Sequence, residues 1–244
     1  MRLLIIASVV LGGFFAMSAC LQAKPVTTRD IVANIPWGDE EQATYVLLKD
    51  NGKDELGNGT LSIERQGDEF EFRSEFANED ASDSSVMHVD AETLKPHTIR
   101  REIHDKDEAQ ILDATYNTKD KILEIVQVID GKRLPRPERL DREHYYDNET
   151  SAFLWRTINF RKDYQAYYYS ILANQGGDDQ LLRLEVVGKE EIEVPAGKFN
   201  AWRLEISTPR GLQTAWYTDT PEHTLVRYDT TRNVLELRSM PRGS

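Results

Sequence analysis

The chain has 244 residues, and its 42 Asp and Glu against 30 Lys and Arg leave a net charge of −12. Proteins bind nucleic-acid phosphates through clustered Lys and Arg, so this acidic balance argues against nucleic acid as a partner. The single cysteine, Cys20, excludes an internal disulfide.

The first segment resembles a bacterial lipoprotein signal. Arg2 precedes an unbroken apolar run, and two small residues stand directly before Cys20. This order of charge, apolar stretch and small residues is typical of an export leader. The cysteine at the cleavage site resembles the lipobox, in which the cysteine is acylated and becomes the new N-terminus. We therefore predict a signal peptide over residues 1–19 and a palmitate-type anchor to the membrane at Cys20.

Two other interpretations of this segment remain open. An ordinary secretory signal cut after Ala19 or Ala23 would release the domain, and an uncleaved leader approaches the roughly 18–20 apolar residues that span a bilayer. The lipoprotein interpretation predicts an extracytoplasmic domain anchored to a bacterial membrane. Because Leu21 follows the cysteine, and not the aspartate that resembles an inner-membrane retention signal, we expect the outer membrane where two are present.

The rest of the chain divides into a tether and one domain. Residues 20–42 are rich in Pro and acidic residues, which predicts a tether with little regular structure. Residues 43–239 are predicted to form a single β-rich domain, and residues 240–244 a tail or tag remnant.

Apolar and polar residues alternate with a period of two from Ala43 onward, as in a strand with one buried and one solvated face. In chain order the predicted strands are Thr44–Lys49, Leu61–Glu64, Phe70–Arg73, Ser85–Asp90, Thr98–His104, Gln110–Tyr116, Ile122–Ile129, Ala166–Leu172, Leu181–Val187, Ala201–Ser207, Gln213–Tyr217, Thr224–Tyr228 and Val234–Arg238. Short turns join most of them. The fold class is therefore mainly β: an antiparallel meander forming an open barrel or half-barrel.

One segment breaks this period. The two prolines in Leu134–Pro137 exclude a central strand, because each lacks a ladder donor. After it, one short covering helix is predicted over about residues 148–158, with Asn148 or Thr150 as its cap.

A tight hairpin is predicted at residues 192–199. Pro195 presets φ for the first turn position, and Gly197 can adopt positive φ to close a three-residue loop. The following strand then points Trp202, Leu204 and Ile206 inward.

Three of these segments together resemble a known family. The helix at Tyr146–Arg156, the hairpin at Val194–Phe199 and the strand at Ala215–Asp219 are similar to the bacterial exported proteins of domain-of-unknown-function family 3108. That family is similar in fold to the lipoprotein-carrier and LppX-like proteins, whose curved sheet encloses a hydrophobic cavity covered by helix. The resemblance implies an open barrel in the cell envelope, and it implies no catalytic residues.

The sequence contains no nucleophile elbow, zinc-protease motif or phosphate-binding glycine loop. His97 and His104 are seven residues apart on one predicted strand and so point to opposite faces, which argues against a shared metal. We expect no cofactor, no metal and no enzymatic activity.

Five aromatic residues are candidates to contact an apolar ligand, although core packing is the competing interpretation for those of the helix. They are Phe153, Trp155, Tyr167, Tyr169 and Trp202. Two functions follow. In the first, the half-barrel holds a lipid or acyl chains in a largely apolar cavity. In the second, the barrel is filled by its own side chains, and the protein is a structural or interaction module that binds an envelope protein.

Overall fold

A computed structural model of the protein describes residues 26–49, 52–106, 108–129 and 131–242. The predicted leader, with Cys20, lies outside the described residues. So do residues 50–51, between the first two predicted strands, and the last two residues of the chain.

Within the part of the chain that the structure describes, fifteen strands form one sheet. They are β1 (Glu40–Lys49), β2 (Glu55–Gln66), β3 (Glu69–Ala77), β4 (Ala81–Asp90), β5 (Pro96–Asp105), β6 (Glu108–Asn117), β7 (Ile122–Ile129), β8 (Lys132–Arg139), β9 (Tyr145–Asp147), β10 (Gln165–Leu172), β11 (Asp178–Val194), β12 (Gly197–Thr208), β13 (Gly211–Thr218), β14 (Leu225–Asp229) and β15 (Asn233–Arg242). Every strand predicted from the period of two is confirmed. β15 reaches Arg242, where it pairs with Gln42 of β1. The predicted tail was therefore placed too early.

The sheet is an open barrel. Its strand order is β8-β7-β6-β5-β4-β3-β2-β1-β15-β14-β13-β12-β11-β10-β9, so β8 and β9 are its two ends. All neighbours are antiparallel except β9 and β10, which are parallel. Near the gap, Arg142 of the loop after β8 donates from Nε to Oδ2 of Asp179 in β11 at 2.5 Å. This ion pair holds the loop that joins the two end strands against β11, and among the described residues β8 and β9 form no ladder with each other.

The prolines of Leu134–Pro137 lie in β8, an edge strand, and this location confirms the exclusion of a central strand. Pro135 and Pro137 pair with Val126 and Glu124 of β7. Because proline has no N–H, neither residue can donate to a further strand. The free edge is thereby protected against pairing with another chain.

The predicted helix is confirmed in position, and it lies inside the barrel. Residues 148–157, here called the plug, comprise a 3₁₀ turn (Asn148–Thr150), α1 (Ser151–Leu154) and a second 3₁₀ turn (Trp155–Thr157). The cap differs from the prediction. The side chain of Asp147 accepts from the backbone N–H of Glu149 at 2.8 Å, and so Asp147 caps the plug in place of Asn148 or Thr150.

The plug fills the interior. Five of the largest fully buried side chains are aromatic: Trp155, Tyr146, Tyr168, Tyr217 and Phe72. The ring of Phe153 stacks on Phe72 at 4.5 Å between centroids. The indole N–H of Trp155 donates to the hydroxyl of Tyr168 at 2.9 Å. Below the rim, the barrel is therefore a packed core.

Residues 26–39, here called the strap, differ from the predicted tether. They contain no helix or strand, yet they cross one end of the barrel and pack on it. Ile31 and Trp37 are 2% and 8% exposed. The backbone N–H of Ala33 donates to Thr157 O at 2.9 Å, and that of Arg65 donates to Asp39 O at 2.7 Å. Burial of two large apolar side chains holds the strap in the domain, so the domain begins before residue 43.

The predicted hairpin is present with a tighter loop. Val194 pairs directly with Gly197, so the loop has two residues, Pro195 and Ala196, and not three. Gly197 has a φ of +129° and no atom within 4 Å of the position that a Cβ would occupy. The glycine is thus required by backbone conformation alone.

Replacing Gly197 with alanine should lower the free energy of unfolding by about 1–2 kcal/mol, because alanine disfavours positive φ. Urea denaturation of the purified domain measures this loss. Lys198→Ala, on the exposed neighbouring residue, is the control and should change stability by less than about 0.5 kcal/mol. Equal stability of the two variants would contradict the backbone argument.

Candidate ligand site at the barrel mouth

One end of the barrel remains open above the plug. This end, here called the mouth, is formed by the ends of β1, β3, β5 and β14 and the starts of β2, β4 and β15. It holds a cavity of about 440 Å³. The apolar part of its wall consists of Leu47, Leu56, Phe76, Ile103, Tyr228 and Leu235. The volume lies within the roughly 300–1,000 Å³ of small-molecule sites.

The floor of the cavity is fixed by the plug. The ring of Tyr228 meets that of Trp155 edge to face at 5.5 Å between centroids. Its hydroxyl donates to Oε1 of Gln213 at 2.6 Å. Burial raises the pKa of Tyr228 above its usual range, so this phenol stays neutral.

A glycine makes room for another wall residue. Gly59 of β2 pairs directly with Phe76 of β3. A Cβ on Gly59 would lie 2.8 Å from Cδ1 of Phe76, closer than real contacts allow. The missing side chain therefore lets the ring of Phe76 lie across β2 at the cavity wall.

A charged network lies beside the cavity. Asp83 lines it, and Arg101 donates to Asp83 from Nε at 2.9 Å and from Nη2 at 2.6 Å. Arg101 also donates from Nη1 to Oε1 of Glu149 in the plug at 3.0 Å. The hydrogen bonds to Asp83 raise the pKa of Arg101, which stays charged. One guanidinium thus joins the cavity wall to the top of the plug.

The network continues into the core. The hydroxyl of Tyr116 donates to Oδ2 of Asp147, which is 1% exposed. Burial and the neighbouring Glu149 raise the pKa of Asp147 to about 7. Burial also raises the pKa of Glu149 above its usual value. Asp147 and Glu149 are enclosed by the plug and the wall, so they orient the plug, and neither of these two carboxylates lines the cavity.

The five aromatic residues predicted to contact a ligand do not lie on the cavity wall. Phe153 and Trp155 are 2% exposed and belong to the core. Cζ of Arg142 lies 4.5 Å from the ring centroid of Tyr169, and Nζ of Lys189 lies 4.4 Å from that of Trp202. The carbonyl of Tyr167 accepts from the strap residue Arg29 at 3.0 Å. Of the inward residues predicted on β12, Leu204 and Ile206 are fully buried, whereas Trp202 is half-buried.

The wall residues were missed because they lie at strand tips, where neighbours along the chain are polar turns. Alternation assigns Phe76, Ile103 and Leu235 to the inner face of their strands, but nothing in the sequence says that the plug stops below them.

His97 and His104 contact different carboxylates. Nδ1 of His97 lies 2.6 Å from Oε1 of Glu69, and Nε2 of His104 lies 3.9 Å from Oε2 of Glu102. Among the described residues, no three His, Asp or Glu side chains converge as a metal site requires. Within the same part of the chain, no helix has the length and hydropathy needed to cross a bilayer.

Three solved structures are similar to this chain to different degrees. A beta-barrel-like protein of domain of unknown function DUF1849 from Brucella abortus has a TM-score of 0.50 and 10% identity, covering 87% of this chain and 100% of its own. A Bacteroides fragilis protein described as exported, with a YmcC-like fold, has a TM-score of 0.32 and 12% identity, covering 88% and 100%. A Parabacteroides distasonis protein described as a lipoprotein has a TM-score of 0.32 and 10% identity, covering 87% and 100%. The first of these shows the barrel-like fold and nothing about activity.

No curated protein matches the chain. A family does: the sequence model of DUF3108, described as a protein of unknown function, matches residues 42–236. That span runs from β1 to β15 and includes the plug and all of the barrel except the first two residues of β1 and the last six of β15. The resemblance inferred from the helix, hairpin and strand segments is therefore confirmed, and the chain belongs to the DUF3108 family.

Proposed function

We propose that this protein is a non-enzymatic, lipid-anchored domain of the bacterial cell envelope that holds an apolar chain at the mouth of its barrel. The observation that carries the proposal is the cavity of about 440 Å³ with a largely apolar wall. Each methylene moved from water into such a site contributes about 0.8 kcal/mol. A site of this size suits one acyl chain better than a whole lipid.

The filled interior sets the mode of binding. The space between plug and wall near Arg156 amounts to about 10 Å³, too little for any ligand. A chain bound at the mouth would enter from the open end and stop at Tyr228 and Phe76. We therefore propose a shallow site that holds a chain end, in place of the enclosed cavity that the family resemblance implied.

The strap and the mouth lie at opposite ends of the barrel. The strap contacts the end of β2 through Arg65 and the β4–β5 turn through Lys95, whereas the cavity lies at the other tips of those strands. From Val26 back to Cys20 the chain spans at most about 20 Å. An acylated Cys20 would therefore hold the closed end toward the membrane, and the mouth would face a second molecule or surface.

The alternative function is an interaction module. The packed aromatic interior favours it, because a filled barrel is a rigid scaffold. In that case the mouth is covered by a protein partner of the envelope. Native mass spectrometry of protein purified from membranes would then find that partner and no lipid.

A neutral fluorescent probe, N-phenyl-1-naphthylamine, tests the apolar site directly. We expect saturable binding to the wild-type domain. Ala81→Phe, which adds a ring to the cavity wall, should weaken binding by about tenfold or more. Fluorescence titration gives both affinities.

Ala109→Phe is the matched control. Ala109 is exposed on β6, where Leu112 and Ala114 point inward and residue 109 therefore points outward. This variant should bind the probe like the wild type. Absence of saturable binding to the wild type, or equal loss in both variants, would contradict the mouth as a ligand site.

A further inference from the structure

We propose that the mouth binds a zwitterionic amphiphile, with the apolar chain in the cavity and the two head-group charges held by opposite sides of its rim. The inference rests on the proposed function, because it needs the apolar cavity to be occupied. It adds the class of head group, which the apolar wall alone does not determine.

One side of the rim is acidic. Asp83 and Asp105 line the cavity itself. Glu79 and Asp80 line an adjoining open hollow of about 600 Å³. The cavity and the hollow share Leu56, Ala77 and Asn78, so they are continuous.

Most of this acidity is uncompensated. Asp83 shares its guanidinium, Arg101, with Glu149, so one positive charge serves two carboxylates. In the part of the chain that the structure describes, Glu79, Asp80 and Asp105 form no ion pair. The neighbouring Lys106 is exposed and lines neither the cavity nor the hollow.

The other side of the rim is basic. Arg210 at the β12–β13 tip and Arg232 at the β14–β15 tip line a hollow of about 170 Å³, which shares Thr230 with the cavity. Both side chains are exposed. Arg210 donates to Oε1 of Gln175, a neutral acceptor, and neither arginine forms an ion pair among the described residues.

Opposite charges therefore flank a single apolar cavity. A cationic amphiphile is attracted by the acidic side of the rim and repelled by the two arginines. An anionic amphiphile is attracted by the arginines and repelled by the acidic side. A head group that carries both charges gains from both sides. Because the rim is exposed and screened, we expect a modest preference of about tenfold over singly charged amphiphiles.

Three amphiphiles with the same dodecyl chain test this preference below their micellar concentrations. Dodecylphosphocholine is zwitterionic, dodecyltrimethylammonium is cationic and dodecanesulfonate is anionic. Each is titrated against the domain loaded with N-phenyl-1-naphthylamine, and displacement gives the affinity.

Two charge variants divide the rim. Glu79→Gln/Asp80→Asn/Asp105→Asn removes the acidic side, and Arg210→Gln/Arg232→Gln removes the basic pair. Glu191→Gln/Glu193→Gln is the control, since these exposed acids lie on β11 near the β11–β12 hairpin and line no part of the mouth. We expect the acidic-side variant to weaken the phosphocholine and the ammonium, and the arginine variant to weaken the phosphocholine and the sulfonate, each by severalfold. The control should weaken none.

The outcomes separate the inference from the proposed function. The zwitterion proposal is overturned if the ammonium binds most tightly and the arginine variant has no effect. It is also overturned if the sulfonate binds most tightly and the acidic-side variant has no effect. Equal affinities that no charge variant changes also overturn it, while leaving the apolar site intact. Failure of the wild type to bind the neutral probe would contradict the proposed function itself.

Discussion

Replacing Arg156 with alanine is expected to lower the free energy of unfolding by about 3–5 kcal/mol, because it leaves a buried carboxylate without its partner. The guanidinium donates from Nη1 to Oε1 of Glu41 at 2.6 Å and from Nη2 to Oε2 at 3.0 Å. The Arg156 and Glu41 side chains are 5% and 13% exposed. Urea denaturation of the wild type and the variant measures the loss.

The size of this effect follows from the number of elements that meet at one side chain. Arg156 lies in the last turn of the plug, and Glu41 belongs to β1. The guanidinium also donates to the carbonyls of His223 at 3.1 Å and Glu222 at 2.9 Å, in the loop between β13 and β14. It lies 5.1 Å from the ring centroid of Trp37 in the strap. The substitution therefore orphans a carboxylate and two carbonyls at the closed end of the barrel.

Two further variants define what this experiment measures. Arg139→Ala removes the partner of Asp141 in a pair whose side chains are 78% and 63% exposed, and it should cost less than about 1 kcal/mol. Arg156→Met/Glu41→Met removes both buried charges and should recover part of the loss, since no carboxylate is then stranded. A loss below about 1 kcal/mol in Arg156→Ala would show that water reaches Glu41 and that the closed end is open.

The strands were predictable because each inner face is buried by the same core along most of its length. In β3, Phe70 and Phe72 are 2% and 0% exposed and Arg73 is exposed, as the alternation predicts. Glu71 departs from the expected solvated face: it is 5% exposed and accepts from Nε of Arg73. Edge status was predictable too, since prolines exclude β8 from the centre of any sheet. Both predictions rest on residues that are close together in the chain.

The plug and the strap were not predictable in their places, because long-range contacts decide both. Arg156 and Glu41 are 115 residues apart in the chain. The strap looks like a tether in composition, and only the pocket formed by Phe70 and Phe72 makes Trp37 a core residue. The ligand site could not be predicted for the same reason. The mouth exists because the plug ends below the strand tips, and long-range contacts, not the residues near those tips in the chain, decide where the plug ends.

Long-range contacts also surround Asp147, which caps the plug and accepts a hydrogen bond from Tyr116 of β6. Burial and the nearby Glu149 raise its pKa to about 7, whereas an unfolded chain gives an aspartate a pKa near 3.9. Between about pH 4 and pH 7 the folded protein therefore holds a proton that the unfolded chain has lost. Stability contributed by the protonated form is fully present below pH 4 and is lost as the pH rises through 7.

Asp147→Asn removes this titration while keeping a side chain that can accept from Glu149 N–H. The free energy of unfolding of the variant minus that of the wild type should therefore rise by about 2–4 kcal/mol between pH 5 and pH 8, measured by urea denaturation at each pH. Using the difference matters, because burial lowers the pKa of His223 and raises that of Glu149, and both shifts also make the stability of the wild type depend on pH in this range. Asp141→Asn, on an exposed acid, should show no such rise. A flat difference for Asp147→Asn would mean that the carboxylate is already ionised at pH 5, and that Arg101 neutralises it together with Glu149.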